Sequence, residues 1–270
     1  MNPRRRLALR VALGVLFVYL TVSLMIRAFS RSLLFPSFPP EPVDARAGAL
    51  VEGRSPEGRR VAALWSEAAP GAPVFVYFHG NGMQLSDCAE LAPIARREGW
   101  SFYAVEYPGY GPLHDDEASE EAIVDVAVGA MALLRERLGV PRDRAVLLGQ
   151  SLGSGVATEL AARGEGSRLA LLTPFTSVPD MAAAIFPLPG VQWMVRDRFD
   201  NAAKAPSITL PTLVVHGTRD EVVPYAQGRA LAGRFPHGRL VTIEGARHND
   251  LWSAFQPELL AALRGFVTPR

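Results

Sequence analysis

Hydrophobic positions along the chain follow two patterns, one continuous and one interrupted. The continuous one lies near the N-terminus, where 16 uncharged residues from Val11 to Ile26 run between Arg10 and Arg27. The interrupted one begins near residue 48, where short apolar runs alternate with stretches of helical spacing. Val74–Phe78, Phe102–Val105, Ala145–Leu148, Leu169–Leu172, Leu213–Val215 and Leu240–Ile243 are apolar at successive positions and too short for helices. Such runs predict parallel strands covered on both faces. Between them, Glu120–Leu138 and Val156–Arg163 repeat apolar residues at helical intervals. Ala49–Glu52 and Val61–Trp65 flank the turn Ser55-Pro56-Glu57-Gly58 and predict an antiparallel hairpin. The expected fold is α/β, a mostly parallel doubly wound sheet with an antiparallel start.

With Leu7–Leu9 included, the N-terminal run approaches the roughly 20 residues that a helix needs to cross a bilayer. It is apolar on all faces, unlike an amphipathic core helix. Its exit, Ile26-Arg27-Ala28-Phe29-Ser30-Arg31, carries charge and lacks the small-x-small pattern of a signal cleavage site. Residues 1–30 therefore read as a retained anchor, in contact with the membrane through residues 7–29. Arg4, Arg5, Arg6 and Arg10 precede the run while Arg27 and Arg31 follow it, which places the N-terminus in the cytoplasm and the rest outside. Pro36, Pro39, Pro40 and Pro42 predict an extended tether over residues 31–47, ahead of a folded domain at 48–270.

Ligands of doubly wound sheets sit beyond the carboxyl ends of the strands, and four strand ends carry candidate chemistry. The run at 145–148 leads into Gly149-Gln150-Ser151-Leu152-Gly153, a G-x-S-x-G turn followed at once by a helical pattern. Such a turn presents Ser151 at the mouth of the sheet as a candidate nucleophile. A serine hydroxyl needs a base, and the base needs an orienting acid. Asp220 follows the strand at 213–215 and His248 follows the last strand, which gives the order Ser, Asp, His. Glu221 adjoins the acid. His79-Gly80-Asn81-Gly82 follows the run at 74–78, and its glycines allow backbone N–H groups to converge on a developing oxyanion. The donors assigned are the N–H of Asn81 and the N–H of Leu152, with Gly82 as the alternative to Asn81. His216 ends a strand and reads as structural; His237 lies in a Phe-Pro-His-Gly turn. His114, beside Asp115 and Asp116, lacks metal-ligand spacing, so no metal and no other cofactor is expected.

Composition narrows the field. The chain is 49% hydrophobic, enough for a sizeable core and too much for wholesale disorder. Its 28 basic and 27 acidic residues leave a net charge of +1, which offers no field for nucleic acid. Cys88 is the only cysteine, so neither an intrachain disulfide nor a thiolate zinc cluster is available.

Five segments together resemble the α/β-hydrolase superfamily. They are Tyr77-Phe78-His79-Gly80-Asn81, Tyr107-Pro108-Gly109-Tyr110-Gly111, Gly149-Gln150-Ser151-Leu152-Gly153, His216 to Pro224, and Gly245-Ala246-Arg247-His248-Asn249-Asp250. Their wording is similar to the small membrane-anchored serine hydrolases of the bud-emergence type and to α/β-hydrolase-domain proteins. Pro112 departs from that pattern. The resemblance implies an α/β-hydrolase fold with Ser151 as nucleophile, Asp220 as orienting acid and His248 as general base. It also implies a lid over residues 173–211; an apolar satellite core around one short helix is the other reading of that segment. The expected activity is hydrolysis of a carboxylic ester or thioester, with lipid or acyl-chain substrates favoured by the anchor. An amidase or peptidase, and a catalytically silent tethered binder, are the alternatives.

Overall fold

The computed structural model describes residues 2–36, 38–186 and 188–267. Helix α1 spans Pro3–Leu34, with Pro at its first position and the Asn2 side chain accepting the N–H of Arg4. It is long and apolar enough to cross a membrane. It also runs past the expected boundary at 30.

Strands β1 (Ala49–Arg54) and β2 (Arg60–Ser66) form the expected hairpin at one edge of the sheet. They are followed by β3 (Val74–Phe78), β4 (Ser101–Val105), β5 (Ala145–Gln150), β6 (Arg168–Leu172), β7 (Thr212–Gly217) and β8 (Gly238–Ile243). The eight-stranded sheet has the order β1-β2-β4-β3-β5-β6-β7-β8. β2 meets β4 antiparallel, and every pairing from β4 to β8 is parallel. This is the mostly parallel α/β sheet with an antiparallel start that the apolar runs predict, and it fits the α/β-hydrolase fold that the resemblance implies. The central strands β3, β4 and β5 are buried at every position, while the outer strands β1 and β8 keep exposed residues. Central strands therefore read as unbroken apolar runs, because helices cover both faces.

Helices α2 (Leu85–Ala89) and α3 (Leu91–Arg97) connect β3 to β4, and α4 (Glu120–Glu136) crosses from β4 to β5 behind an Ser119 cap. α5 (Leu152–Ala162) starts four residues ahead of the expected Val156, directly after Ser151. Beyond β6 come α6 (Val178–Ile185), a 3-10 turn at Val191–Trp193 and α7 (Asn201–Lys204), and the chain closes through α8 (Tyr225–Ala232) and α9 (Gln256–Val267). In the segment expected as a lid, Phe175, Val178, Val191 and Phe199 are buried, while Ile185, Phe186 and Trp193 are exposed. It has an inner face joined to the body and an apolar outer face.

The expected tether over 31–47 is not a free spacer. Residues 31–34 belong to α1. Phe35 is buried edge-on against Phe199, with ring centroids 6.4 Å apart. Gln84 holds the following stretch through the Glu41 N–H and the Pro39 carbonyl. Proline restricts the backbone to extended shapes; it does not stop neighbouring apolar side chains from docking, and here they do.

Two glycines set the junction of sheet and helix. A Cβ at Gly149 would collide with the Gly153 carbonyl, and a Cβ at Gly153 would collide with the Phe78 carbonyl. Gly153→Ala should therefore destabilise the fold by about 1–3 kcal/mol, the usual cost of overpacking. The check is the thermal midpoint of the full chain in detergent; an unchanged midpoint would contradict this packing.

Candidate active site

β5 delivers Ser151 into a backbone conformation that serine rarely adopts, φ 49° and ψ −115°. A non-glycine residue at positive φ costs on the order of 1–3 kcal/mol and persists only where its surroundings over-determine it. Here the Ser151 N–H donates to the Leu172 carbonyl at 2.9 Å, and the Ser154 N–H returns to the Ser151 carbonyl at 2.9 Å. The result points Ser151 Oγ at His248 Nε2, 3.0 Å away.

His248 stands on the loop after β8 and is buried. Its Nδ1 lies 2.8 Å from Asp220 Oδ2 and 3.0 Å from Oδ1. Asp220, on the loop after β7, is itself anchored: Oδ1 accepts the N–H groups of Val222 at 2.9 Å and Val223 at 2.8 Å. His216 Nε2 lies 3.2 Å from Asp220 Oδ2 and 2.9 Å from the Val223 carbonyl, so one N–H there serves both oxygens. Burial by itself would raise the Asp220 pKa, but the bonds from His216, His248 and Val223 outweigh it and hold the carboxyl well below its ordinary range. The carboxylate is therefore ionised at neutral pH and fixes the His248 tautomer with Nε2 facing the serine. A hydroxyl in that geometry can pass its proton to the imidazole.

The loop after β3 is held from beneath. His79 Nε2 lies 2.9 Å from Glu106 Oε1, both side chains fully buried. Glu106 also accepts the N–H groups of Leu85 at 2.9 Å and Tyr107 at 3.1 Å. Tyr107 donates its hydroxyl to the His79 carbonyl at 3.0 Å, and Tyr110 donates to Asn81 Oδ1 at 2.8 Å. Asn81, Ser151 and Leu152 line one cavity of about 280 Å³ whose other walls include Phe175, Met181 and Val223. Leu152 opens α5, so its N–H has no acceptor within the helix. The structure thus brings Ser151, His248 and Asp220 into one hydrogen-bonded chain beside Asn81 and Leu152. Glu221 approaches His248 only through the backbone, its Oε2 lying 3.5 Å from the His248 N–H. Among the described residues, no group of three or more His, Cys, Asp or Glu is placed to hold a metal.

Sequence reasoning missed three supports. His216 touches the Asp220 carboxylate as well as ending a strand. The tyrosines after β4 hold the His79–Asn81 loop. Gln150 Oε1 accepts both the Tyr77 hydroxyl at 2.6 Å and Trp252 Nε1 at 2.9 Å, tying the turn that carries Ser151 to the loop that follows His248. The G-x-S-x-G pattern leaves position 150 unspecified, so only the tertiary contact shows its use. Cys88 is buried in α2, where burial pushes its thiol pKa well up, so it stays protonated and unreactive.

Comparisons with known proteins agree with this fold. A family model described as alpha/beta hydrolase family matches residues 74–206, and one described as serine aminopeptidase, S33 matches residues 198–252. Alpha/beta hydrolase domain-containing protein 17B of Xenopus tropicalis is 31% identical over 218 residues, covering 80% of this chain and 73% of the relative. The human protein of the same name is 30% identical over 218 residues, with the same coverage. Among solved structures, an esterase from Pyrococcus furiosus superposes with a TM-score of 0.68 at 16% identity, over 86% of this chain and 97% of that one. At that identity the match shows the fold.

Two outcomes follow from the hydrogen-bond network. Replacing Gln150 by Leu should lower kcat/KM by up to about 100-fold, because a displacement of about 1 Å at the reacting groups costs that much; hydrolytic turnover measures it, and parental turnover would refute the support role. The Asp220 pKa is depressed by folding, so its contribution to stability is present above the unfolded value of about 3.9 and is lost as pH falls below it. The stability gap between the parent and Asp220→Asn should therefore narrow below about pH 4. Denaturant midpoints across pH would show it, and a gap that widens in acid would overturn the assignment.

Proposed function

The chain belongs to the alpha/beta hydrolase family, and on that premise we propose that it is a serine hydrolase cleaving carboxylic ester or thioester bonds through an acyl-enzyme. The observation that carries this reading is the unbroken line from Ser151 Oγ through His248 to a buried, ionised Asp220, opening on an apolar cavity. Ser151 Oγ attacks the acyl carbonyl carbon while His248 Nε2 takes its proton. Asp220 stabilises the imidazolium so formed. The N–H groups of Asn81 and Leu152 receive the oxyanion, each such donor being worth a few kcal/mol of barrier. His248 then protonates the departing alcohol or thiol, and a water molecule repeats the cycle to release the acid. The chemistry uses side chains and backbone alone, so no cofactor is assigned.

The apolar lining suits an acyl chain better than a charged group. Helix α1 serves in this reading as a single-pass anchor, and the arginine bias puts the catalytic domain on the extracytoplasmic side. A reporter fused after Arg270 that is active in the cytoplasm would reverse that topology. The match of residues 198–252, which carry Asp220 and His248, to the aminopeptidase model favours an amidase as the second reading. Aminoacyl anilides turned over faster than 4-nitrophenyl esters would select it.

Fluorophosphonate labelling of the full chain tests the central claim. The parent should label and Ser151→Ala should not, with kcat on esters falling by about 10⁴-fold or more in the variant. A folded parent that neither labels nor turns over an ester would leave a tethered binding protein as the reading.

A further inference from the structure

Helix α1 does more than leave the membrane beside the domain. Its partly or fully buried positions include Tyr19, Ser23, Ile26, Ser30 and Leu34, spaced so that they share one stripe along the helix. Ile26, Ser30, Leu33 and Leu34 line the same cavity as Ser151. The lower end of the helix is fastened by Arg31, whose Nε lies 3.1 Å from the buried Asp197 carboxylate; the other oxygen of that carboxylate accepts the Glu120 N–H at 2.8 Å. Farther up, the Tyr19 hydroxyl donates to the Pro189 carbonyl at 2.7 Å.

The height of that upper contact is informative. Tyr19 and Ile26 both belong to the apolar run Val11–Ile26. The domain therefore follows the helix for seven residues inside that run, about 10 Å at 1.5 Å per residue. The part of the lid segment that surrounds the contact is apolar and uncovered: Ile185, Phe186 and Trp193 are 58%, 49% and 75% exposed. In water these side chains would be a liability. At the level of the apolar run such side chains suit lipid better than water. A hydroxyl and a carbonyl at that depth must satisfy each other, as Tyr19 and Pro189 do.

We propose that α1 is a wall of the acyl-binding cavity and that the lid segment, immersed beside it, opens this cavity sideways into the bilayer, so that the preferred substrate is an ester or thioester whose long acyl chain is already dissolved in that leaflet. The proposal rests on the hydrolase reading above and adds to it where the chain comes from and which residues select it. An alkyl chain that moves from lipid into a cavity walled by Ile26, Leu33 and Met181 stays out of water throughout, while the carbonyl arrives at Ser151. Ile26 and Leu33 then set the preference for long chains.

The test uses the full chain in phosphatidylcholine vesicles. The probes are 4-methylumbelliferyl butyrate in the aqueous phase and 4-methylumbelliferyl palmitate in the bilayer. Ile26→Trp fills part of the wall and should reduce the palmitate-to-butyrate ratio of kcat/KM by about tenfold or more, within the range that pocket-filling changes produce. Retained fluorophosphonate labelling of the variant confirms an assembled site. A ratio equal to the parent's, or a parent that hydrolyses butyrate but not palmitate, overturns the proposal and leaves the hydrolase reading standing. A parent that neither labels nor hydrolyses either probe overturns both. If Ile26→Trp does not fold, vesicles with brominated acyl chains decide the matter on the parent: the fluorescence difference between the parent and Trp193→Phe should be quenched, and an unquenched Trp193 overturns the proposal.

Discussion

Close approach of β5, α5 and β3 is the constraint on which the rest of the site depends. Gly149 and Gly153 leave no room for a side chain between the strand end and the first helical turn. Within that space the chain can reverse only if Ser151 takes a positive φ. The strain is tolerated because backbone hydrogen bonds to β6 and α5 fix the residue on both sides. The same reversal points Oγ outward and leaves the first N–H of α5 unpaired within the helix. One packing restriction thus supplies both the proposed nucleophile and one proposed oxyanion donor.

Around that turn, the buried polar groups are held by one another. Asp220, Glu106 and Gln150 each sit among apolar neighbours, and each has its acceptor atoms engaged. A buried polar group left unpaired costs about 1–3 kcal/mol, so these networks have few alternative arrangements. Asp220 orients His248, Glu106 holds His79 and the loop to Asn81, and Gln150 joins the Ser151 turn to Trp252. The loops after β3, β5, β7 and β8 are far apart in sequence, and they meet with hydrogen-bond precision because side chains behind them are locked.

The N-terminal helix and the domain share more than a covalent link. Its stripe from Tyr19 to Leu34 docks along the segment between β6 and β7, and the Arg31–Asp197 pair holds its base. Phe35 then inserts against Phe199. The long apolar helix and the cavity at Ser151 are therefore parts of one packed unit.

The chain by itself determined the elements and the candidate reactive residues. Fully buried strands must be apolar throughout, so their runs were readable, and their order with the helices between them implied the parallel sheet. The glycines at 149 and 153 and the order Ser151, Asp220, His248 pointed to the site, because steric and proton-transfer requirements leave few residue types there. Local pattern also marked α1 as a candidate span. Tertiary structure alone decided the supports and the surroundings. Gln150, His216 and the two tyrosines act through partners 27 or more residues away or across a turn, distances over which no periodicity carries information. The prolines after α1 predict a free tether; the buried Phe35 ring and the hydrogen bonds of Gln84 make it a docked strap. That the helix also walls the cavity depends on which of its faces meets the domain, and a helix apolar on every side cannot declare that in its sequence.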